Sequence, residues 1–235
     1  MKNRPSEASL RLNARVAGLA YILIIVIAML SVSLVDSRLI VGGNNAATTD
    51  NIIAHGLLFR AGIASMLAMY AGVLVLSLAL YLILRTVSAE LALLALLFRS
   101  AEAILGGATV LLSFIILLLA SGSAPATALG PEALHALVGM FVDVRAAALD
   151  IVLVFVGVGG SLYCYLFFVS RSIPRWLAAW GVFSYLSMLV LAFVSIVLPE
   201  HPAVLESVLY SAGALFELTI GLWLLFKGVN AVQLA

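Results

Sequence analysis

Six stretches of about 20 predominantly apolar residues, separated by short polar connections, constrain this chain more than any other feature. They cover roughly 14–35, 63–84, 91–120, 146–168, 176–198 and 205–226. A helix of about 20 residues crosses the roughly 30 Å hydrocarbon layer of a bilayer. In lipid a backbone must satisfy its own polar groups, which leaves only helices or closed barrels. Barrel strands alternate over about 10 residues, and these runs are too long and too continuously apolar for that. The expected fold class is therefore all-α, an integral membrane bundle of six transmembrane helices forming a single transmembrane domain over 1–235. Composition agrees, since 65% of residues are hydrophobic and 10% are charged, against about 45–50% and about 25% in soluble domains.

Orientation follows from where the cations fall. Lys2, Arg4, Arg11, Arg15, Arg85, Arg171, Arg175 and Lys227 flank one side of the spans, and Arg38 and Arg60 the other. The positive-inside rule then places both termini in the cytoplasm. Trp176 and Trp180 at the start of the fifth span, and Trp223 at the end of the sixth, read as interfacial anchors on that same side. The basic N-terminus followed by an apolar run imitates a secretory signal, but about 20 apolar residues exceed a signal core of about 7–15. The run reads as an uncleaved first span.

Two connections are more than hairpins. Residues 36–55 form a long outer loop containing Leu39, Ile40, Val41, Gly42 and Gly43, either lying on the membrane or dipping in as a cap, and the second helix begins early, near Asn51. Residues 131–143 suit an outer interfacial helix, with Pro131 at a first helical position and Glu132 at the positive helix end. A straight helix from Glu132 to Arg171 would be about 60 Å long. It either projects beyond the membrane or breaks near Asp143.

Charges inside a bilayer cost about 2.5–3.5 kcal/mol each on insertion scales and face protein rather than lipid. The candidates are Arg60, Arg99, Glu102, Asp143, Arg145, Asp150 and Glu217. Three cations against four acids point to mutual pairing. Arg99 and Glu102, three apart, share a helix face, continued by Gly106, Thr109 and Ser113. Asp143 and Asp150 lie nearly on one face with Ala146 and Ala147 between them, whereas Arg145 points elsewhere. Glu217 is the deepest acid, on a face with Tyr210, Gly213 and Gly221, small residues that admit a close neighbour. Arg99, Glu102, Asp150 and Glu217 either line one polar cavity or form an ion-pair network that locks helices together. Gly106, Gly107, Gly157, Gly159 and Gly160 mark either loosened helix beside a site or close helix packing.

His55, His135 and His201 all fall on the outer side, with Asp50, Glu132, Asp143, Glu200 and Glu206. A metal site from the three histidines is conceivable there, though no HxxxH or HExxH spacing supports it. The one cysteine, Cys164, excludes an intrachain disulfide and reads as a small core residue. Ser161 follows Gly160 as a nucleophile would, but no histidine or lysine lies deep enough to activate it. There is no phosphate loop, no dinucleotide fingerprint and no intramembrane histidine pair for haem, so no cofactor is expected. A net charge of +1 excludes a nucleic-acid partner.

The chain also resembles a bacterial family of multi-pass membrane proteins, the domain-of-unknown-function 4386 family. The likeness runs from Ala14 to Gly228. It is carried by Arg15-Val16-Ala17-Gly18-Leu19-Ala20-Tyr21, by Thr49, Asn51 and Ile52, and by Leu58-Phe59-Arg60 with Gly62. Phe98-Arg99 with Glu102, Ile173-Pro174-Arg175, Glu217-Leu218, and Leu222-Trp223-Leu224-Leu225 with Lys227-Gly228 complete it. The resemblance implies a bacterial cytoplasmic membrane and recurring polar positions at Arg60, Arg99 and Glu217. Family members carry histidines in the fourth span near the positions of Arg145 and Gly159; this chain has none, so no histidine chemistry carries over. The family brings no activity with it. The leading expectation is binding or translocation of a small molecule or ion through a polar cavity near the midplane. A structural or accessory membrane subunit and an intramembrane metal- or carboxylate-dependent hydrolase are the alternatives. Partners are membrane lipid, a small-molecule ligand, and a second copy of the chain in a homo-oligomer.

Overall fold

A computed structural model describes residues 6–121, 130–198, 203–230 and 234, with the backbone alone over 203–207. Among these residues all regular structure is helical. Helix α1 spans Glu7–Leu39, α2 Asn45–Ala54, α3 Gly56–Leu84, α4 Ala89–Ala120, α5 Pro131–Ser170, α6 Arg175–Val197 and α7 Ala203–Phe226. Six of them, all but α2, contain stretches long and apolar enough to cross a membrane. The protein is a multi-pass, all-helical membrane protein.

The faces of α1 show how the sequence produces this. Ala14, Ala17, Tyr21 and Ile24, spaced by three or four, are 0–8% exposed. Leu19, Leu23, Val26 and Leu30, equally apolar, are 43–50% exposed. Helical periodicity turns one apolar face, with its small residues and Tyr21, inward and leaves the other outward, where lipid, not water, suits it. Starts and stops use ordinary signals. The Ser6 hydroxyl accepts from the Ser9 amide at 3.2 Å, and the Ser88 hydroxyl from the Leu91 amide at 3.3 Å, with Glu7 and Glu90 in the first turns. Helix α7 ends at Phe226, and Gly228 just beyond it has a φ of 71°, the left-handed turn that glycine allows.

Several connections differ from the expectation. Within 36–55, residues Asn45–Ala54 are helical: Asn44 caps α2 by accepting from the Ala47 amide at 3.0 Å, and the helix breaks at His55 before α3 begins. The buried Thr48 hydroxyl bonds the Val41 amide at 2.9 Å, which ties the preceding strand of loop to α2. Helix α5 runs unbroken through Asp143 for 40 residues, about 60 Å, so residues 131–143 are its first turns and not a separate interfacial helix. Nothing in that stretch breaks helices: Gly139 is the lone weak former, and it sits against the Asn45 side chain where any Cβ would clash.

The chain divides into two compact units. The first comprises Met1–Ile25, Ala71–Ile104 and Asp150–Ala235, and the second Val26–Tyr70 and Leu105–Leu149. The first unit has a core of Leu76, Ile83, Ala95, Phe167, Phe216 and Leu224, all fully buried. Helices α1 and α7 come close together at Gly18, where a Cβ would stand 2.5 Å from the Leu225 nitrogen and 2.6 Å from the Gly221 carbonyl oxygen. The second unit packs Leu39, Ile52, Phe59 and Val138, with the Tyr70 ring laid directly on Gly106.

Candidate functional site

The polar centre of the first unit is built on α4. Arg99 and Glu102 are among the few charged residues that are buried, with side chains 4% and 6% exposed. Their spacing puts them on one face, and the Arg99 Nη1 lies 2.7 Å from the Glu102 Oε2. The approach is electrostatic only: the guanidinium N–H is not aimed at that oxygen, and both atoms lack a hydrogen-bond partner among the described residues. The Ser184 hydroxyl on α6 is buried and unsatisfied in the same way. Buried donors and acceptors without partners are rare in native proteins and call for an explanation.

Arg99 can reach this position because α5 gives way to it. A Cβ on Gly159 would stand 2.8 Å from the Arg99 Cγ and 3.1 Å from its Cδ. Gly160 does the same for Tyr185, whose ring carbons would meet a Cβ at 2.5 Å. Gly157 admits Leu189 and the Tyr185 carbonyl oxygen, at 2.6 and 2.9 Å. The helix stays regular through all three glycines. Their role here is close packing, not loosened helix.

A second line of polar groups joins α1, α6 and α7. The Tyr185 hydroxyl donates to Glu217 Oε1 at 2.8 Å, and the Tyr21 and Tyr185 hydroxyls stand 3.4 Å apart. Tyr21 and Tyr185 are 2% and 1% exposed, while Glu217 is only partly buried. The Arg99 guanidinium carbon lies 6.0 Å from the Tyr185 ring centroid and within electrostatic reach of Glu217. The Tyr185 ring in turn stands edge-on to Phe216, which packs against Trp180. Nearby, the Tyr163 hydroxyl donates to the Ser77 carbonyl oxygen at 2.8 Å, and Cys164 packs against Gly181 as a core residue. The cluster thus holds one guanidinium and two carboxylates. Arginine stays charged in proteins, so full ionisation leaves one net negative charge in a region of low dielectric.

The other predicted residues are spread over both units. Asp150, in the first unit, is partly buried and engaged in an interaction of its own. Arg60 and Asp143, in the second unit, are exposed. Gly106 and Ser113 are buried in the second unit, with Thr109 partly so. Arg145 bonds Asp36 at 2.9 Å, with both side chains about a quarter to a third exposed. Asp36 ends a π-helical turn, Val32–Asp36, in α1; such turns re-aim a helix by one residue. With Ser31, Val35, Ser113 and neighbours the pair lines a pocket of about 20 Å³, room for about one water. His55 is exposed with its Nδ1 on the Asn51 carbonyl, His135 is partly exposed, and His201 lies outside the described residues. Among the described residues no three metal-ligating side chains gather.

Sequence reasoning missed Tyr21, Tyr185 and Ser184, because tyrosine and serine are unremarkable inside apolar spans. The available signal was positional: Tyr21 lies on the small-residue face of α1, in register with Ala14 and Ala17. Asp36 was read as a loop residue, since it closes the first apolar run. Neither the curated proteins nor the solved structures contain a match to this chain. The family described as a domain of unknown function (DUF4386) matches residues 16–228. With a match over nearly its whole length, the chain belongs to the DUF4386 family.

Proposed function

We propose that this protein binds, and moves across a bacterial cytoplasmic membrane, a small cation, the proton included, at the Arg99–Glu102–Glu217 cluster, with both termini in the cytoplasm. The observation that carries the reading is the charge count of the cluster: a buried guanidinium and carboxylate, Arg99 and Glu102, with the partly buried Glu217 as a second carboxylate. One bound cation, or one proton, makes the cluster neutral. Glu102 Oε2, ion-paired with Arg99 but in no hydrogen bond among the described residues, supplies an oxygen for a guest.

The alternative, an ion-pair lock in a purely structural subunit, fits less well. Arg99 and Glu102 are three residues apart on one helix, so their pairing holds no two helices together. A buried pair is seldom more stable than apolar side chains of the same size. The Arg99–Glu102 pair, kept at that cost within one helix, points to use, while the attraction between Arg99 and Glu217 is the part of the cluster that does bridge helices. The distribution of arginines and lysines supports the cytoplasmic placement of the termini.

The test is thermal unfolding of purified protein in detergent against sodium, potassium, magnesium and pH at fixed ionic strength. A ligand at a hundred times its dissociation constant stabilises by about 2.7 kcal/mol. Wild type should gain stability with one of these ions, and Glu217→Gln should not. The amide oxygen keeps the Tyr185 hydrogen bond, so the variant should fold. Wild type unmoved by every ion, or Glu217→Gln moved equally, would return the cluster to a structural role.

A further inference from the structure

A cationic groove at one end of the first unit has no part in that reading. It has a volume of about 510 Å³ and lies where α5 ends, α6 begins and α7 ends. Arg171, Arg175 and Lys227 line it, and no acidic residue does. Arg171 and Lys227 have no carboxylate partner among the described residues, and Arg175 rests 5.2 Å over the Phe168 ring, which leaves its charge unneutralised. Helix α6 opens on this groove with Pro174 as its N-cap, a side chain that cannot satisfy the first amides. The positive end of a 23-residue helix therefore adds to three cations with no carboxylate partner among the described residues. Across the wall formed by 227–230, a second depression holds Arg11 and Arg15, and its one acid, Glu7, is taken by Arg11 at 2.5 Å.

The position of the groove selects its occupant. Three apolar spans end around it, Trp223 lines it, and Trp176 beside it is 59% exposed. Exposed tryptophan at the ends of spans marks the headgroup layer. Phosphate in that layer belongs to lipid, and Ile173, Pro174 and Val229 give an apolar border for the glycerol and upper acyl carbons. We propose that this groove is a binding site for a phosphate-bearing anion, namely the headgroup of an acidic phospholipid. The bare phosphodiester meets the arginines and the open end of α6, and an additional headgroup cation would meet only repulsion.

Arg171 provides a variant that separates binding from folding. Its φ is 55°, a left-handed backbone usually left to glycine at helix ends. Arg171→Gly should therefore unfold at a higher temperature than wild type while holding lipid less well. The experiment is native mass spectrometry of the detergent-solubilised full chain titrated with phosphatidylglycerol or phosphatidylcholine, with inorganic phosphate as a third arm. Wild type should retain phosphatidylglycerol in preference to phosphatidylcholine. Each cation removed in Arg171→Gln, Arg175→Gln and Lys227→Gln should weaken retention about fivefold. Equal retention of the two lipids, or retention unchanged in Arg171→Gly and in the triple glutamine variant, overturns the site. Millimolar inorganic phosphate displacing the lipid through the same three residues would overturn the lipid assignment in favour of a soluble anion.

Discussion

Replacing Arg99 and Glu102 by methionine, singly and together, separates a structural pair from one kept for use. Methionine keeps the unbranched stem that fits against Gly159 and is a good helix former. Arg99→Met leaves Glu102 buried with no cation beside it and takes from Glu217 its nearest positive charge. Removing one partner of a buried pair costs about 3–5 kcal/mol, and this variant should fall at the upper end. Glu102→Met leaves Arg99 with Glu217 still in electrostatic reach, so it should fall at the lower end of that about 3–5 kcal/mol range. The double variant removes both charges and both unsatisfied atoms and leaves only Glu217 without its cation; it should lose less than Arg99→Met alone. The three values, read from unfolding in mixed micelles, give a coupling of several kcal/mol. If the double variant instead loses the sum of the two singles, the pair is uncoupled, and the view of it as a stability burden is refuted.

Gly18→Ala places a Cβ between the backbones of α1 and α7 and should destabilise by about 1–3 kcal/mol, whereas Gly107→Ala, which meets nothing within 4 Å, should be neutral or gain up to about 1 kcal/mol; the same micelle unfolding compares them. Tyr185→Phe removes the donor to Glu217 and should cost about 1.5–3 kcal/mol, as for a bond to a charged group, with infrared spectra of the carboxylate stretch reporting the change at Glu217. Asp36→Asn breaks a pair with Arg145 that is about a quarter to a third exposed, and screening by solvent limits its loss to about 1 kcal/mol or less; a larger loss in thermal unfolding would mean that the pair is more enclosed than its exposure indicates.

The helices were legible because lipid imposes a length and an apolar composition that few other environments demand. Their true ends were not. Helix α1 continues to Leu39 and α5 begins at Pro131, beyond the apolar runs, where polar residues form helix as readily as apolar ones and hydropathy falls silent. Arg60 and Asp143, read as intramembrane charges, are exposed on their helices. Arg99, Glu102 and Glu217 stand out in sequence because a charge amid apolar residues has a price that composition reveals. Their tyrosine neighbours have none, and the Asp36–Arg145 pair joins residues 109 apart in sequence through a π turn that no periodicity announces. The glycines of α5 were ambiguous between hinge and contact, and only the neighbours of Gly159 and Gly160 decide for contact.

Charge displacement on a solid-supported membrane tests the central claim most directly. Proteoliposomes are exposed to a step in sodium, potassium or proton concentration, and the current is integrated. Wild type should give a displacement current with one of these ions, lost in Glu217→Gln and in the Arg99→Met, Glu102→Met double variant although both remain folded. Currents absent from wild type under every ion step, or the same size in all three proteins, would contradict a cation site at Arg99, Glu102 and Glu217.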